Sequence, residues 1–411
     1  MGNRLTAWIL AALVLGLLAG SAINHWVVDE SSRAVIADNL SIVTDLFLRL
    51  IKMIIAPLVL AALISGIGHM GGDTKALGRI GGRALLWFIG ASLVSITIGM
   101  LVVNWLEPGV GLNLPLPPGN ADTGIKGAEF TLRTFVTHLV PKSIFEALAT
   151  NEILQIVVFS IFAGIALAAI GEKGKPLLDG ADALMHLMLT ITGYVMKAAP
   201  FAVFAAVAAT IAEQGLGVLR TYAAFMGGFY VALAILMLVI LFAGACVIGL
   251  RNTYRLVSEI REPFLLSFST ASSEAAYPKI LAALDRYGVP PKISSFVLPL
   301  GYSFNLDGSM MYCSFATLFI AQAYGIELSI GQQVTMMLLL MVTSKGMAGV
   351  PRASLVVIAA TLSTFGIPEG GLLLILAVDH FLDMGRSATN VVGNTIATAV
   401  VSKWEDNRGN P

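Results

Sequence analysis

The sequence predicts an all-α polytopic membrane protein with eight transmembrane helices and two opposed re-entrant helical hairpins. Three observations predict it. Hydrophobic residues make up 57% of the chain and charged residues 12%, a balance found in chains that live in lipid rather than in soluble enzymes. Apolar runs long enough to cross about 30 Å of hydrocarbon recur along the sequence. Two further apolar segments are interrupted by polar, helix-breaking tips that lipid would not tolerate but a protein-lined cavity would.

The expected crossings lie near residues 5–28, 40–69, 79–106, 148–170, 179–212, 217–250, 293–324 and 371–402. Arg4 followed by Leu5 to Val28 has the look of a secretory signal, but the apolar run is longer than an h-region and reads as an uncleaved first span. The segment from Pro108 to Phe130, with Pro-Leu-Pro-Pro-Gly-Asn at its centre, reads as an external loop, and residues 132–151 are mixed. Basic residues orient the spans: Lys75, Arg79 and Arg83, then Lys173 and Lys175, then Arg251, Arg255 and Arg261, then Arg286 and Lys292, and last Lys403 and Arg408. Their excess marks the cytoplasmic face and puts both termini there. Formal net charge is zero, and no basic block suggests a nucleic acid partner. Cys246 and Cys313 sit inside apolar runs, which disfavours both a disulfide framework and a thiolate metal site.

Two segments do not fit as crossings. Were Pro263 to Asp285 to span, the basic clusters on either side would fall on opposite faces, against the charge rule. A hairpin over about 255–288 keeps both inside, with the tip Ser267 to Pro278 reading SFSTASSEAAYP. The second, over about 328–366, breaks at Ser344 to Pro351, SKGMAGVP, and must enter from the outside. A hairpin plus a span, repeated with opposite sense, is the inverted-repeat logic of secondary transporters. That inference rests on topology, because no residue-level repeat is visible.

The last span carries Asp379, Asp383, Arg386, Asn390 and Asn394, which fall within an arc of roughly 80° on one helix face. Charges at mid-bilayer cost several kcal/mol unless they face protein or water, and their usual use is a solute path. Arg386 is the natural clamp for a carboxylate. Asp383, one turn earlier, can neutralise it or hold an ammonium; the plain alternative is an internal ion-pair network. In the seventh span, Gly301 to Ser309 (GYSFNLDGS) interrupts an apolar run. Carbonyls freed by a broken helix, with one carboxylate, make a hard-cation site; the alternative is a kinked packing helix with a buried Asp307. At the first tip Ser272 and Ser273 offer hydroxyls, and helix ends there offer free N–H groups to an anion. Glu274 can carry a proton, or pair with Arg386 or Lys345. Lys345 and Arg352 read as rim charges. Gly66-Ile-Gly-His-Met-Gly71 matches a dinucleotide fingerprint in letters only, since no strand precedes it.

The motifs STASSE, NLDGS, SKGMAGVP and LDMGRSATNVVGN together resemble the dicarboxylate/amino acid:cation symporters, the family of the excitatory amino-acid transporters and the bacterial proton/glutamate symporters. The resemblance covers nearly the whole chain. It implies an elevator-type glutamate transporter fold in a homotrimer. The scaffold would comprise residues 5–70 (spans one and two) and 129–212 (spans four and five). The mobile domain would comprise 77–107 (span three) and 217–404 (spans six to eight and both hairpins). Arg386 would bind the side-chain carboxylate of an acidic amino acid and Asp383 its amino group, with Asn390, Ser309, Ser272, Ser273 and the Val350 backbone completing the site. The pair Asp383 and Arg386 speaks for glutamate or aspartate over plain C4-dicarboxylates or neutral amino acids.

Departures from the family pattern bear on coupling. Sodium-coupled members resembling this chain read NMDGT where NLDGS stands, carry an aspartate in place of Asn394, and have a tyrosine and a Thr-Ser pair where Phe88 and Ala91-Ser92 stand. Fewer oxygen ligands weaken a hard-cation site. The expectation is proton coupling, with Glu274, Asp307 and Asp383 as carriers; eukaryotic members use a glutamate where Cys313 stands. Residual cation sites would draw on Gly301, Asn305, Asp307, Asn394, Ser344 and Ser92. The chain is thus expected to be a symporter of the cytoplasmic membrane, not an enzyme, with no cofactor beyond co-transported protons. A sodium-coupled glutamate or C4-dicarboxylate carrier is the alternative, and an anion channel the reading from a different class.

Overall fold

The computed structural model describes residues 2–68, 74–110, 140–215, 222–344, 353–376 and 378–406, and among them every regular element is helical. The long first helices are α1 (Gly2–Trp26), α2 (Glu30–Gly68) and α3 (Thr74–Leu106). A short α4 (Ile144–Thr150) ends at Asn151, which takes the left-handed conformation, and leads into α5 (Ile153–Ile170). Next come α6 (Lys175–Val195), α7 (Ala199–Gln214) and α8 (Ala223–Ile248). The Asp29 carboxylate caps the start of α2. It accepts from the Ser32 and Ser31 hydroxyls and the Ser32 amide, and these donors hold it down at about 2.

Among the described residues five stretches are long and apolar enough to cross a membrane: Ala7–Trp26, Lys75–Leu106, Ile153–Lys173, Lys175–Glu213 and Ala223–Ile248. The other three expected crossings are built differently. α2 carries Arg33, Asp38, Asp45 and Arg49 in its first half, so only Met53–Gly68 is a plain apolar stretch. The seventh is split into α12 (Pro291–Phe304) and α13 (Asp307–Ala323), because Asn305 and Leu306 leave helical dihedrals. The eighth begins as a 3-10 turn at Glu369–Gly371 and a short α16 (Leu372–Leu376), and the long α17 (Asp379–Asp406) follows. The polar stripe therefore starts in the first turn of α17 rather than midway along a continuous 371–402 helix.

The first hairpin is tighter than 255–288. α9 (Leu250–Glu259) is a separate helix after Gly249, and the arms are α10 (Arg261–Thr270) and α11 (Tyr277–Tyr287). Between them Ala271 adopts φ 49° and Glu274–Ala276 forms a 3-10 turn; Pro278 in the first turn of α11 fits there because no N–H is needed. The second hairpin has arms α14 (Ile330–Thr343) and α15 (Ala353–Thr364). α14 opens with a capping box between Ser329 and Gln332. The tip, with Lys345, Val350 and Arg352, lies outside the described residues.

Two sets of helices pack closely within themselves: α1, α2, α5, α6 and α7, and α3, α8, α10, α12, α13 and α17. Hairpin 1 bridges them, its first arm touching α1 and α7 and its tip touching α2, while the arms of hairpin 2 pack on α3, α13 and each other. One end of α17 is clasped to α3. Glu405 pairs with Arg79 at 2.9 Å and Arg83 at 2.5 Å, Arg83 also donates to the Trp404 carbonyl, and the Trp87 and Trp404 rings meet edge-on at 5.9 Å.

Candidate functional site

The first turns of α17 hold a charged cluster. Arg386 is the bulkiest of the fully buried side chains, 1% exposed. Its Nη2 sits 3.0 Å from Asp383 Oδ1 and 3.3 Å from Asp379 Oδ1. The guanidinium carbon lies 4.1 Å from the centre of the Tyr312 ring, and the Tyr312 hydroxyl donates to Asp379 Oδ1 at 3.1 Å. A buried guanidinium is tolerable only with such partners. Two of its nitrogens, Nε and Nη1, have no hydrogen-bond partner among the described residues. Asp383 keeps a 31% exposed side chain where that of Asp379 is 6% exposed, so Asp383 is the carboxylate a solute can reach. Tyr230 holds the start of α17 from α8 by donating to the Phe381 carbonyl at 2.6 Å.

A second cluster lies further along α17, against the broken helix. Asn390 Oδ1 accepts from the Gly308 amide at 2.9 Å, and its Nδ2 donates to Ser309 Oγ at 3.1 Å. A Cβ at Gly308 would lie 2.6 Å from the Arg386 carbonyl, and one at Gly393 would collide with Asp307 Oδ2, so these glycines let the two helices touch. Asp307 is fully buried. Its Oδ1 accepts from Ser95 at 3.3 Å and its Oδ2 from Asn305 Nδ2 at 3.1 Å. The same Asn305 amide reaches Asn394 Oδ1 at 3.3 Å. Ser92 donates to the carbonyls of Phe88 at 2.5 Å and Phe304 at 3.4 Å. The carbonyl end of α12 thus points at a site with one carboxylate, two amides and hydroxyls, donors that suit a proton or a hard cation. Asn305 Oδ1 is buried without a hydrogen-bond partner among the described residues.

The family model for the sodium:dicarboxylate symporters matches residues 5–404. The chain belongs to that family. It is therefore a membrane carrier and not an enzyme. Among relatives of this symporter, the proton/sodium-glutamate symport protein of Bacillus caldotenax is 39% identical over 405 residues, covering 97% of this chain and 94% of the relative. The proton/glutamate-aspartate symporter of Escherichia coli K12 is 40% identical over 408 residues, 97% and 92% of the two chains. The C4-dicarboxylate transport protein of Laribacter hongkongensis is 38% identical over 401 residues, 96% and 89%. Carriers named for different substrates stand at the same distance, so identity does not choose between them.

The structure of this symporter brings Arg386 and Asp383 together, joins Asn390 to Ser309, and gathers Asp307, Asn305 and Asn394. Gly301 belongs with them, since a Cβ there would collide with Asn394 Oδ1. The hairpin serines have local duties: Ser272 Oγ accepts from the Ala275 amide at 3.3 Å, and the Ser273 carbonyl accepts from Tyr302 Oη at 2.8 Å. Ser344 is 1% exposed, its hydroxyl without a hydrogen-bond partner among the described residues, and Val350 lies outside them. Glu274 was expected to carry a proton or to pair with Arg386 or Lys345. Among the described residues the carboxylates that pair with Arg386 are Asp379 and Asp383, and Glu274 lines a pocket with Ile55, Val59 and Ile153; its other expected partner, Lys345, lies outside the described residues. Sequence reasoning gave no role to three residues. Asp379 was legible as a stripe member two turns before Arg386, whereas Tyr312 and Ser95 reach the clusters from other helices and left no local signal.

Proposed function

We propose that this symporter imports acidic amino acids, glutamate or aspartate, coupled to cations, with protons favoured. The observation that carries the proposal is the Arg386 cluster: a buried guanidinium with two unspent donors beside a reachable carboxylate. An acidic amino acid supplies what that arrangement lacks, a carboxylate for Arg386 and an ammonium for Asp383. Asn390, Ser309, Ser272, Ser273 and the Val350 backbone would take the remaining polar atoms. A plain dicarboxylate has no group for Asp383, which argues against the C4-dicarboxylate reading.

Charge balance supports coupling. The two clusters hold the buried Asp307 and Asp379 and the half-buried Asp383, and among the described residues their ion pairs are with Arg386, an excess of negative charge before any acidic solute enters. Moving such a load through a low-dielectric environment needs added cations. Asp307, Asp383 and Glu274 are the groups that would take protons. Asn394 and Phe88 in place of a carboxylate and a phenol argue against sodium, although the unpartnered Asn305 Oδ1 keeps a sodium-coupled reading alive, with Gly301, Asn305, Asp307, Asn394, Ser344 and Ser92 around the ion.

Mechanistically, residues 5–70 and 129–212 would form the scaffold of a homotrimer, and residues 77–107 and 217–404 the part that moves, in an eight-span, two-hairpin elevator. The chain would lie in the cytoplasmic membrane with both termini inside. The contacts of hairpin 1 with α1, α2 and α7, set against those of hairpin 2 with α3 and α13, suit a state closed to the cytoplasm by hairpin 1. The deciding experiment is radiolabelled glutamate uptake into proteoliposomes driven by an imposed pH gradient without sodium. Concentrative, saturable uptake is expected. Uptake that waits for sodium would reverse the coupling assignment, and non-saturating flux would favour a channel.

A further inference from the structure

α8, one of the apolar crossings, ends at Ile248, and Gly249, at φ 87°, turns the chain straight into α9. Thr253 and Leu256 of α9 are buried, and the helix packs on α11. On its open side Leu250 is 78% and Tyr254 71% exposed, with Arg251 and Arg255 exposed beside them. At about 100° per residue these four fall within an arc of about 140°, the apolar pair first and the basic pair next. Among the described residues no carboxylate pairs with either arginine. Glu259, at the end of α9, is held by Arg286 at 3.0 Å, and Glu262 of α10 by Lys279 at 2.9 Å. The Arg255 guanidinium lies 5.3 Å from the centre of the Tyr287 ring and donates to the Arg286 carbonyl at 3.3 Å. Those contacts position its charge without cancelling it.

A helix with an apolar strip beside a basic strip, set where a span ends, is the pattern of a segment lying in the headgroup layer. We infer that α9 is an anchor for acidic phospholipids of the cytoplasmic leaflet, and that the lipid on its open face holds the moving body at its present level. Such a lipid fits both strips. Its phosphate offers Arg251 and Arg255 charge-assisted hydrogen bonds, and its acyl chain covers Leu250 and Tyr254. A free phosphate or an acidic protein segment matches only the basic strip. The attraction amounts to about fivefold for each basic residue at an anionic surface. α9 lies within residues 217–404, so on the elevator reading above it travels toward the cytoplasm with the site and must leave the headgroup layer to do so. Lipid capture by α9 does not depend on that reading, whereas the hold on transport does. Solute affinity stays with the Arg386 cluster.

The test uses the full chain in vesicles of phosphatidylcholine, alone or with about one third phosphatidylglycerol. Photoactivatable phosphatidylglycerol should label α9 about tenfold more than the matching phosphatidylcholine probe, read by mass spectrometry of its peptides. Arg251→Gln with Arg255→Gln should remove that preference, and Arg251→Lys with Arg255→Lys should keep most of it. Both pairs should melt at the wild-type temperature, since the side chains are at the surface. Exchange of radiolabelled for unlabelled glutamate should run about threefold slower with phosphatidylglycerol than without it in the wild type, and at one rate in both vesicles for the glutamine pair. Equal labelling by the two probes overturns the inference, as does a preference that survives in the glutamine pair or is lost equally in the lysine pair. Displacement of the lipid by millimolar inorganic phosphate assigns the face to a free anion and overturns it too. So does wild-type exchange indifferent to phosphatidylglycerol. If the wild type exchanges no glutamate in either vesicle, the acidic amino-acid reading falls, and the labelling, which needs no solute, still decides whether α9 binds acidic lipid.

Discussion

The two clusters along α17 are opposites in charge and in access. Near its start a buried cation, Arg386, is flanked by carboxylates, one of which is reachable. Further on a buried carboxyl, Asp307, accepts from the Ser95 hydroxyl and the Asn305 amide at zero exposure. The first holds unused donors and suits an arriving anion. The second holds an unused acceptor in Asn305 Oδ1 and suits a proton or cation. Gly308 and Asn390 join them, since the Gly308 amide bonds Asn390 one turn beyond Arg386. On the proposed reading the contrast teaches that coupling needs no direct contact between solute and ion: each would fill one face of the same helix pair, and each would make the other's charge easier to bury.

The comparison can be broken most forcefully at Arg386. Arg386→Ala strands Asp379 and Asp383 without their cation, a loss of about 3–5 kcal/mol. Acidic amino-acid uptake should fall by about a hundredfold or more; unchanged glutamate affinity would sink the clamp. Asp307→Asn removes the second cluster's charge and should cost about tenfold or more in cation-dependent uptake, while exchange of bound solute suffers less. Equal losses in both assays would show the two clusters acting as one. Asn394→Asp sharpens the comparison from the other side. An added oxygen charge beside Asn305 should produce sodium stimulation of about fivefold to tenfold that proton coupling predicts the parent will lack, read as uptake against sodium concentration. The smallest effect is expected for Tyr312→Phe. It removes one hydrogen bond to Asp379 and keeps the ring over Arg386, so glutamate affinity should weaken about fivefold, measured by equilibrium binding.

Much of this site was legible because lipid makes polar residues conspicuous. The α17 stripe, the NLDGS break and the serine tip stood out against apolar surroundings, and the structure gives each a helix end or a helix face. The legible part stops where partners come from other helices. Ser95 lies in an ordinary apolar stretch, and only the packing of α3 on α13 brings it to Asp307. Tyr312 reads as a buried aromatic until α17 sets Arg386 over its ring. Helix limits were obscured for a related reason. The apolar run 371–402 hides the division between α16 (Leu372–Leu376) and α17 (Asp379–Asp406), because composition reports burial and not dihedral angles. α9 was absorbed into hairpin 1 since its polar residues looked like the start of the arm. The direction of Glu274 was likewise beyond sequence, as one tip residue can face either neighbour.

The clasp of Arg79, Arg83 and Trp87 onto Trp404 and Glu405 has a use as a ruler. Its ring contact, ion pairs and carbonyl bond tie the first turns of α3 to the last turns of α17, so the two helices travel together whatever else shifts. Spectroscopic labels placed beside residues 83 and 405, on faces clear of the clasp, should report one constant separation through the working cycle. If the proposed elevator holds, a change measured between either label and α6 is displacement of the whole moving body, whereas a change between the labels themselves would contradict a rigid body containing α3 and α17.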